Sequence, residues 1–359
     1  MTGKEYNSQE SGGLSEPTSL PSTPVSKTDI PNYNTVSDTN ESSDVSQTSP
    51  PPVSSSIETP DDTEVGINQK THMNNMYDTE NMNQIFSEED QFYGIMTKYW
   101  KQRHAIFSKY DDGILLTKEL WFSVTPEVVS EFTAKLINHC FKDKAGHIYV
   151  MDAFAGGGGN VNQFLEYADI VFAADINKVH LYCTKHNAQV YYTEEKIGNR
   201  LKLLPLNWIY AADDIDDDFV DETYENSNEM NDVVGRVYVN KEESLESLQI
   251  LKNVKLDCIF GSPPWGGPEY IFEKYYNLDH LLPYPLQKLL PILLRYTDNV
   301  CLFLPKNTNL IQVQKITRHL FGSERYVRVL RTGINTRAKG LLICWGPAFV
   351  NMDLESIEM

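Results

Sequence analysis

An apolar strand that runs into four glycines and then a helix leaves few folds open. IYVMDAF (148–154) is a short run rich in β-branched and aromatic residues, read as a buried strand. It leads into Gly156-Gly157-Gly158-Gly159, and Asn160 to Tyr167 reads as a helix. Glycines at such a turn let the backbone pass close to a ligand and leave the helix N-terminus open to it. The pattern then repeats. DIVFAAD (169–175), LKLLPL (201–206) and KLDCIFG (255–261) predict strands, with a helix over 178–191. NVCLFLP (299–305), ERYVRVLR (324–331) and GLLICWG (340–346) predict three more, with a helix over about 310–320 and a partly helical Leu-rich stretch at 280–296. Strand–helix alternation of this length predicts an α/β fold, a mostly parallel, doubly wound, Rossmann-like sheet. The last two predicted strands are close enough in sequence for an antiparallel edge pair.

The segments around this core differ in kind. Residues 1–85 are rich in Ser, Thr, Pro, Asn and acid, with isolated apolar residues, and predict a disordered tail. Residues 92–145 predict a small helical lobe, with one helix over 93–107 and another from Glu127 to about Phe141. Thr125-Pro126-Glu127 reads as an N-cap followed by proline at the first helical position. Residues 146–350 hold the α/β domain, and 211–250 read as an acidic excursion between the third and fourth strands.

Charge narrows the partner. The net charge of −19 comes from two segments: residues 1–90 carry 16 Asp/Glu against 3 Lys/Arg, and 213–232 carry 10 Asp/Glu and no Lys/Arg. The remainder is mildly basic. That suits an anionic ligand with a few phosphates better than a long duplex held by charge alone. Five scattered cysteines without a CxxC pair argue against a disulfide framework or a cysteine-rich zinc site. His104, His180 and His186 are not spaced as a metal set, so no metal is expected. No run of 18 apolar residues and no basic-then-apolar leader is present, so no membrane partner is expected.

Two constellations carry chemistry. Asp152 precedes the glycines, and Asp175 ends the next strand 23 residues later. A carboxylate at the second position can hold ribose hydroxyls. Asp152 stands where a pyrophosphate would be repelled and an amino-acid ammonium and sulfonium attracted, and the glycine spacing is not GxGxxG. Both points favour S-adenosylmethionine over NAD. The second constellation is Ser262-Pro263-Pro264-Trp265 after the fourth strand. Two prolines stiffen the loop. The Ser262 oxygen and the Pro263 carbonyl can accept hydrogen bonds from an amino group on a planar ring while the Trp265 face stacks on that ring. Tryptophan offers the best π-face for a cation, so a positively charged base such as 7-methylguanine would gain from it.

KYWKQRHAIFSKYDDGILLTKELWFSVTPE (98–127), DAFAGGGGN (152–160), DINKVHLYCTKHNAQVY (175–191), SPPWGGPEY (262–270) and FLPKN (303–307) together resemble the trimethylguanosine synthases, the RNA cap guanine-N2 methyltransferases. The resemblance covers roughly residues 92–347. It implies a class I S-adenosylmethionine-dependent methyltransferase that moves two methyl groups, one at a time, to the exocyclic N2 of a 7-methylguanosine cap. The implied substrates are m7G-capped small nuclear and nucleolar RNAs, the implied location the nucleus and its nucleolus, and small ribonucleoprotein core proteins are implied partners. Carried over by position, Phe107, Ser123, Thr125, Asp152, Phe154, Gly156, Gly158 and Asp175 hold the cofactor. Ser262, Pro263 and Trp265 form the catalytic loop. Asn187 is expected beside the methylated guanine, and Lys98, Tyr270 and Lys306 near the cap phosphates. Two positions depart from the family pattern. Asn207 stands where many related methyltransferases use Asp to read the adenine amine, although its carbonyl can still accept. Lys306 replaces an expected Arg, which keeps the charge and loses a bidentate fork.

Two other readings use parts of the same pattern. An N6-adenine or glutamine-amide methyltransferase also carries an [Asn/Asp]-Pro-Pro-[Tyr/Phe] loop, against which Ser262 and Trp265 speak. A silent cap-binding assembly factor would keep the fold without turnover, against which the intact Asp152, Asp175, Ser262 and Trp265 speak.

Overall fold

The computed structural model describes residues 84–212, 238–266, 268–323, 326–334, 337–350, 352–353 and 357. Most of the predicted tail, residues 1–83, and the acidic run 213–237 lie outside the described residues.

Seven strands form one sheet: β1 (Tyr149–Asp152), β2 (Ile170–Asp175), β3 (Leu201–Pro205), β4 (Cys258–Gly261), β5 (Val300–Pro305), β6 (Val327–Ile334) and β7 (Arg337–Trp345). Their order is β3-β2-β1-β4-β5-β7-β6. β3, β2, β1, β4 and β5 run parallel. β7 pairs antiparallel with β6, as the sequence spacing predicts, and also lies antiparallel against β5, which the spacing does not predict. Alternate residues divide between the two faces, as the two-residue period of a strand requires. Val150, Cys258 and Phe260 face one cluster, packed by Leu136, Val161 and Phe164. Met151, Ile259 and Leu302 face the other, packed by Leu248, Leu286 and Leu289.

The helices that cover the sheet are α1 (Glu127–Phe141), α2 (Gly159–Tyr167), α3 (Lys178–Tyr191), α4 (Glu194–Arg200), α5 (Lys241–Lys252), α6 (Leu286–Leu293) and α7 (Leu310–Phe321). α5 is a correction to the predicted excursion: residues 241–252 form a regular crossover helix with a capping box on Asn240 and Glu243, and Leu248 and Leu251 enter the core. The start of α1 also differs from expectation. Pro126 takes the N-cap position, and the Thr125 hydroxyl accepts instead from Asn160 Nδ2 at 3.2 Å. Glu127 is occupied by accepting from Ser108 N and Tyr191 Oη.

The N-terminal lobe is not one helix over 93–107. It is a chain of short turns, Gly94–Met96, Thr97–Trp100, Arg103–Ile106 and Tyr110–Asp112. Gly94 at φ 60° cannot continue a helix. The aromatic cluster explains the rest. Phe92, Trp100, Tyr110 and Trp121 pack with ring centroids 4.7 to 6.2 Å apart, which a single straight helix could not arrange. The lobe begins earlier than expected: Ile85 bridges Thr117, and Phe86 O accepts from Trp121 Nε1 at 2.9 Å.

Glycine is required where the lobe meets the turn after β1. A Cβ on Gly157 would stand 2.6 Å from Leu116 Cδ2, and one on Gly159 3.2 Å from Val124. Leu116 is fully buried, so it must shift within the packed lobe for such a Cβ to fit. Overpacking of such a contact costs about 1–3 kcal/mol. Gly157→Val should therefore lower the melting temperature and raise the KM for the cofactor. A variant with both values unchanged would show that the lobe tolerates displacement.

Candidate functional site

The site residues collect at the C-terminal ends of the parallel strands, beside the point where the strand order reverses between β1 and β4. Ligands of open α/β sheets bind in that crevice. Asp152 ends β1, Asp175 ends β2, Asn207 follows β3, Ser262 to Trp265 follow β4, and Lys306 follows β5.

Asp152 is fully buried. Its Oδ1 accepts from Phe154 N at 3.1 Å, while Oδ2 has no partner. Burial pushes its carboxyl up to about 7, opposed by the Phe154 N–H and reinforced by the nearby Asp175 charge. An orphaned buried carboxylate oxygen calls for a cationic partner. Asn160 Oδ1 and both polar atoms of the Asn162 amide are also buried without partners. Gly156 at φ 53° and Gly158 at φ 80° hold the turn in the left-handed region. Gly158 is further confined, because a Cβ there would lie 3.0 Å from Thr184 Cα.

Asp175 is held from three directions. Oδ2 accepts from Gly156 N at 2.9 Å, and Oδ1 accepts from Asn177 N at 2.8 Å and lies 3.2 Å from His180 Nδ1. Of the roughly four lone-pair directions of a carboxylate, that leaves one on Oδ2 free. The free direction fits a ribose hydroxyl. Asp175→Ala should weaken S-adenosylmethionine binding by at least one charge-assisted hydrogen bond, about 1.5–3 kcal/mol. Calorimetry showing unchanged affinity would remove Asp175 from the ribose site.

Of the remaining expected cofactor residues, Phe107 and Thr125 lie against the turn, whereas Ser123 and Asn207 are not brought to it. Phe107 is buried, with its ring 3.8 Å from a Cβ built on Gly159, so it backs the turn. The Thr125 carbonyl approaches the same point at 3.5 Å. Ser123 is exposed, and its hydroxyl donates to Glu119 O at 3.3 Å. The Phe154 ring lies against Gly261, 3.1 Å from a Cβ built there, so the ends of β1 and β4 meet at this side chain. Asn207 is buried, and its Oδ1 accepts from Ile209 N at 3.0 Å. Its carbonyl thus caps the turn after β3.

The loop after β4 is braced from several sides. Pro263 is buried, and Pro264 O accepts from Leu282 N at 3.1 Å. Trp265 O accepts from Tyr276 Oη at 3.1 Å. The Trp265 ring meets Tyr270 edge-on at 5.2 Å and Phe303 at 5.7 Å, and its Nε1 is buried without a partner. Asn307 Nδ2 donates to Tyr270 O at 2.9 Å, which ties this loop to the end of β5 beside Lys306. Burial raises the Tyr270 phenol, and Tyr99 of the lobe adds to the rise. Lys98 is exposed, with Nζ 4.7 Å from the Tyr99 ring centroid, and Lys306 is exposed as well.

Asn187 is the exception. It was expected beside the guanine, but it is fully buried behind the glycine turn. Its Oδ1 accepts from Leu115 N at 2.8 Å, and its Nδ2 donates to Leu115 O at 2.9 Å and Gly157 O at 2.8 Å. Both amide hydrogens are therefore engaged, and the side chain staples the lobe to the turn instead of contacting a base. Sequence reasoning also missed His180, Thr117 and Glu119. His180 Nε2 lies 3.2 Å from Thr117 Oγ1 and 3.5 Å from Glu119 Oε2. The one available signal was that His180 stands on the first turn of the helix that follows Asp175.

Comparison with known proteins agrees with this geometry. Residues 147–348 match the family RNA cap guanine-N2 methyltransferase. The chain belongs to that family. It is 35% identical over 267 residues to the trimethylguanosine synthase of Saccharomyces cerevisiae, covering 74% of this chain and 72% of that protein. It is 30% identical over 214 residues to the trimethylguanosine synthase of Schizosaccharomyces pombe, covering 60% of this chain and 72% of that protein. Among solved structures, a putative methyltransferase from Porphyromonas gingivalis W83 aligns with a TM-score of 0.44 at 13% identity, over 70% of this chain and 48% of that one, a likeness too low to add to the assignment. The chain is thus an enzyme that methylates the exocyclic N2 of an RNA cap guanine, with S-adenosylmethionine as its cofactor. The orphaned Asp152 oxygen, the open direction on Asp175 and the left-handed glycines fit that cofactor. When bound, it supplies a methyl group on a sulfonium, an electrophile that needs no metal. Among the described residues there is no group of three or more His, Cys, Asp or Glu placed to hold a metal ion, and no helix long and apolar enough to cross a membrane.

Proposed function

We propose that the enzyme methylates N2 of 7-methylguanosine caps twice in succession, giving 2,2,7-trimethylguanosine on small nuclear and nucleolar RNAs. The braced Trp265 carries this reading. A tryptophan face held by Tyr270 and Phe303 beside a Pro-Pro turn suits a flat, positively charged base. The trimethylguanosine synthases among its relatives support the product.

In this reading Asp152, Phe154, Gly156, Gly158 and Asp175 hold the cofactor, Phe107 and Thr125 back the turn, and Ser123 and Asn207 border the pocket. The base stacks on Trp265. The Ser262 hydroxyl and the Pro263 carbonyl would accept hydrogen bonds from the two N–H groups of the exocyclic amine, which turns its lone pair toward the electrophile; the one proton the nitrogen loses with each methyl gained would pass to solvent. N7 methylation makes that amine less nucleophilic, so catalysis rests mainly on positioning. Once the first methyl is on, the amine keeps one hydrogen and one acceptor, so a second transfer needs no new group. Lys98, Tyr270 and Lys306 are the candidates for the cap phosphates. We place the enzyme in the nucleus, and in the nucleolus within it, with small ribonucleoprotein core proteins as partners; both rest on the class of RNA alone.

The deciding experiment is incubation of m7GTP or m7GpppA with S-adenosylmethionine, followed by mass spectrometry. Gains of one and then two methyl groups are expected. A reaction that stops at one methyl, or that modifies adenine instead, would overturn the reading.

A further inference from the structure

We infer that His180 is a positioning residue of the cofactor site, which holds the Asp175 carboxylate in place for the ribose and ties it to the N-terminal lobe through Thr117 and Glu119. The inference rests on the assignment of Asp175 to the ribose.

The geometry is that of a bridge. His180 Nδ1 meets Asp175 Oδ1 at 3.2 Å, and Nε2 meets Thr117 Oγ1 at 3.2 Å and Glu119 Oε2 at 3.5 Å. A carboxylate thus lies on each side of one ring. A neutral imidazole donates from one nitrogen only: with the proton on Nδ1 it could donate to Asp175 and accept from the Thr117 hydroxyl, but it could not donate to both carboxylates. The imidazolium donates to both carboxylates. Burial opposes its charge, yet Asp175 and Glu119 raise its pKa to about 9, so it carries that charge at neutral pH. The bond to His180 in turn lowers the Glu119 carboxyl.

The two ends of the bridge differ in weight. The Asp175 side chain is 10% exposed and that of His180 15%, whereas that of Glu119 is 71% exposed. An exposed ion pair adds little, about 0–1 kcal/mol. The Asp175 contact is therefore the stronger arm, and Thr117, buried and bridged to Ile85, is what anchors the other end in the lobe. His180 also takes up the last open direction on Oδ1. It leaves Oδ2, already fixed by Gly156 N, as the atom that meets the ribose. Besides His180, the Asn187 staple and a 2.9 Å contact between His186 Nε2 and Gly113 O join the lobe to the helix that follows Asp175. Of these three ties among the described residues, His180 is the one that reaches the Asp175 carboxylate. The consequence is coupling: cofactor binding and docking of the lobe should each favour the other.

The test uses the full chain and three variants, His180→Ala, His180→Asn and Glu119→Ala. Asparagine keeps a short donor toward Asp175 and drops the arm to Thr117 and Glu119. Affinity for S-adenosylhomocysteine is measured by calorimetry, and KM and kcat by methyl transfer to m7GTP, with thermal melts to confirm folding. His180→Ala should raise the cofactor Kd and KM about 10-fold, the low end of one charge-assisted hydrogen bond, while kcat at saturating cofactor and KM for m7GTP stay within about twofold. His180→Asn should recover part of that loss, and Glu119→Ala should show a smaller loss although it lies away from the ribose carboxylate. Equal cofactor affinity in the wild type and His180→Ala, or a fall in kcat with Kd unchanged, would overturn the role of His180 and leave the methyltransferase reading intact. Failure of the wild-type chain to bind S-adenosylhomocysteine would instead remove the cofactor reading on which the inference rests.

Discussion

Trp265→Ala should lose nearly all methyl transfer to m7GpppA, while Trp265→Phe keeps a measurable fraction. The alanine variant removes the stacking face and, with it, a cation–π contact of about 2 kcal/mol when desolvated, roughly 30-fold in binding. Phenylalanine restores a face but a weaker one. It also removes the buried Nε1, which has no partner, so it should not unfold the loop. Cofactor affinity is the control, because Trp265 belongs to the loop after β4 and the cofactor residues to the turns after β1 and β2. Ser262→Ala should lower turnover more than cap affinity. The wild-type enzyme should prefer m7GpppA to GpppA. Equal rates on both caps would show that Trp265 does not select the cation and would reopen the adenine and amide readings.

Asp152→Asn should weaken cofactor binding roughly 100-fold or more and yet make the ligand-free protein more stable above neutral pH. The folded carboxyl has its pKa near 7, raised by burial from an ordinary 3.8. A raised carboxylate pKa means that the ionised form is disfavoured by folding. Its cost is absent below pH 3.8, grows between 3.8 and 7, and is complete above 7. Removing the charge should therefore raise the melting temperature at pH 8 and leave it nearly unchanged at pH 4. Leaving the cofactor ammonium without its buried counter-charge should cost about 3–5 kcal/mol, roughly 100-fold or more in affinity. Because the cofactor cation favours ionised Asp152, binding near pH 7 should release a proton, seen as calorimetric heats that vary with the buffer's ionisation enthalpy. A lower melting temperature at pH 8 together with unchanged affinity would place Asp152 outside the ammonium site.

Much of this enzyme follows from short-range pattern. Apolar runs of four to eight residues between helical segments predict the parallel sheet, and strand polarity places Asp152 and Asp175 at the same edge. The close spacing of the last two strands predicts the antiparallel pair β6 and β7. The Ser-Pro-Pro-Trp turn announces an amino group on a ring, because stiffness, acceptors and a π-face are properties of those four residues themselves. The lobe departs from the single helix its periodicity predicts, because periodicity does not reveal an aromatic cluster that closes over turns.

What the tertiary structure alone decides is which way each polar group is used. Asn187 lies 72 residues from Leu115, and nothing near it in sequence shows that its amide would be consumed there. The glycines after β1 are as much a requirement of Leu116 and Val124 pressing from the lobe as of a ligand. Asp175 and Glu119 come to opposite sides of His180 only when the lobe docks on the sheet. Backbone conformation and hydrophobic period depend on neighbours in the chain and are written locally. Hydrogen-bond partners and the charge state of a buried group depend on which distant segments exclude water together, and only the folded chain sets that.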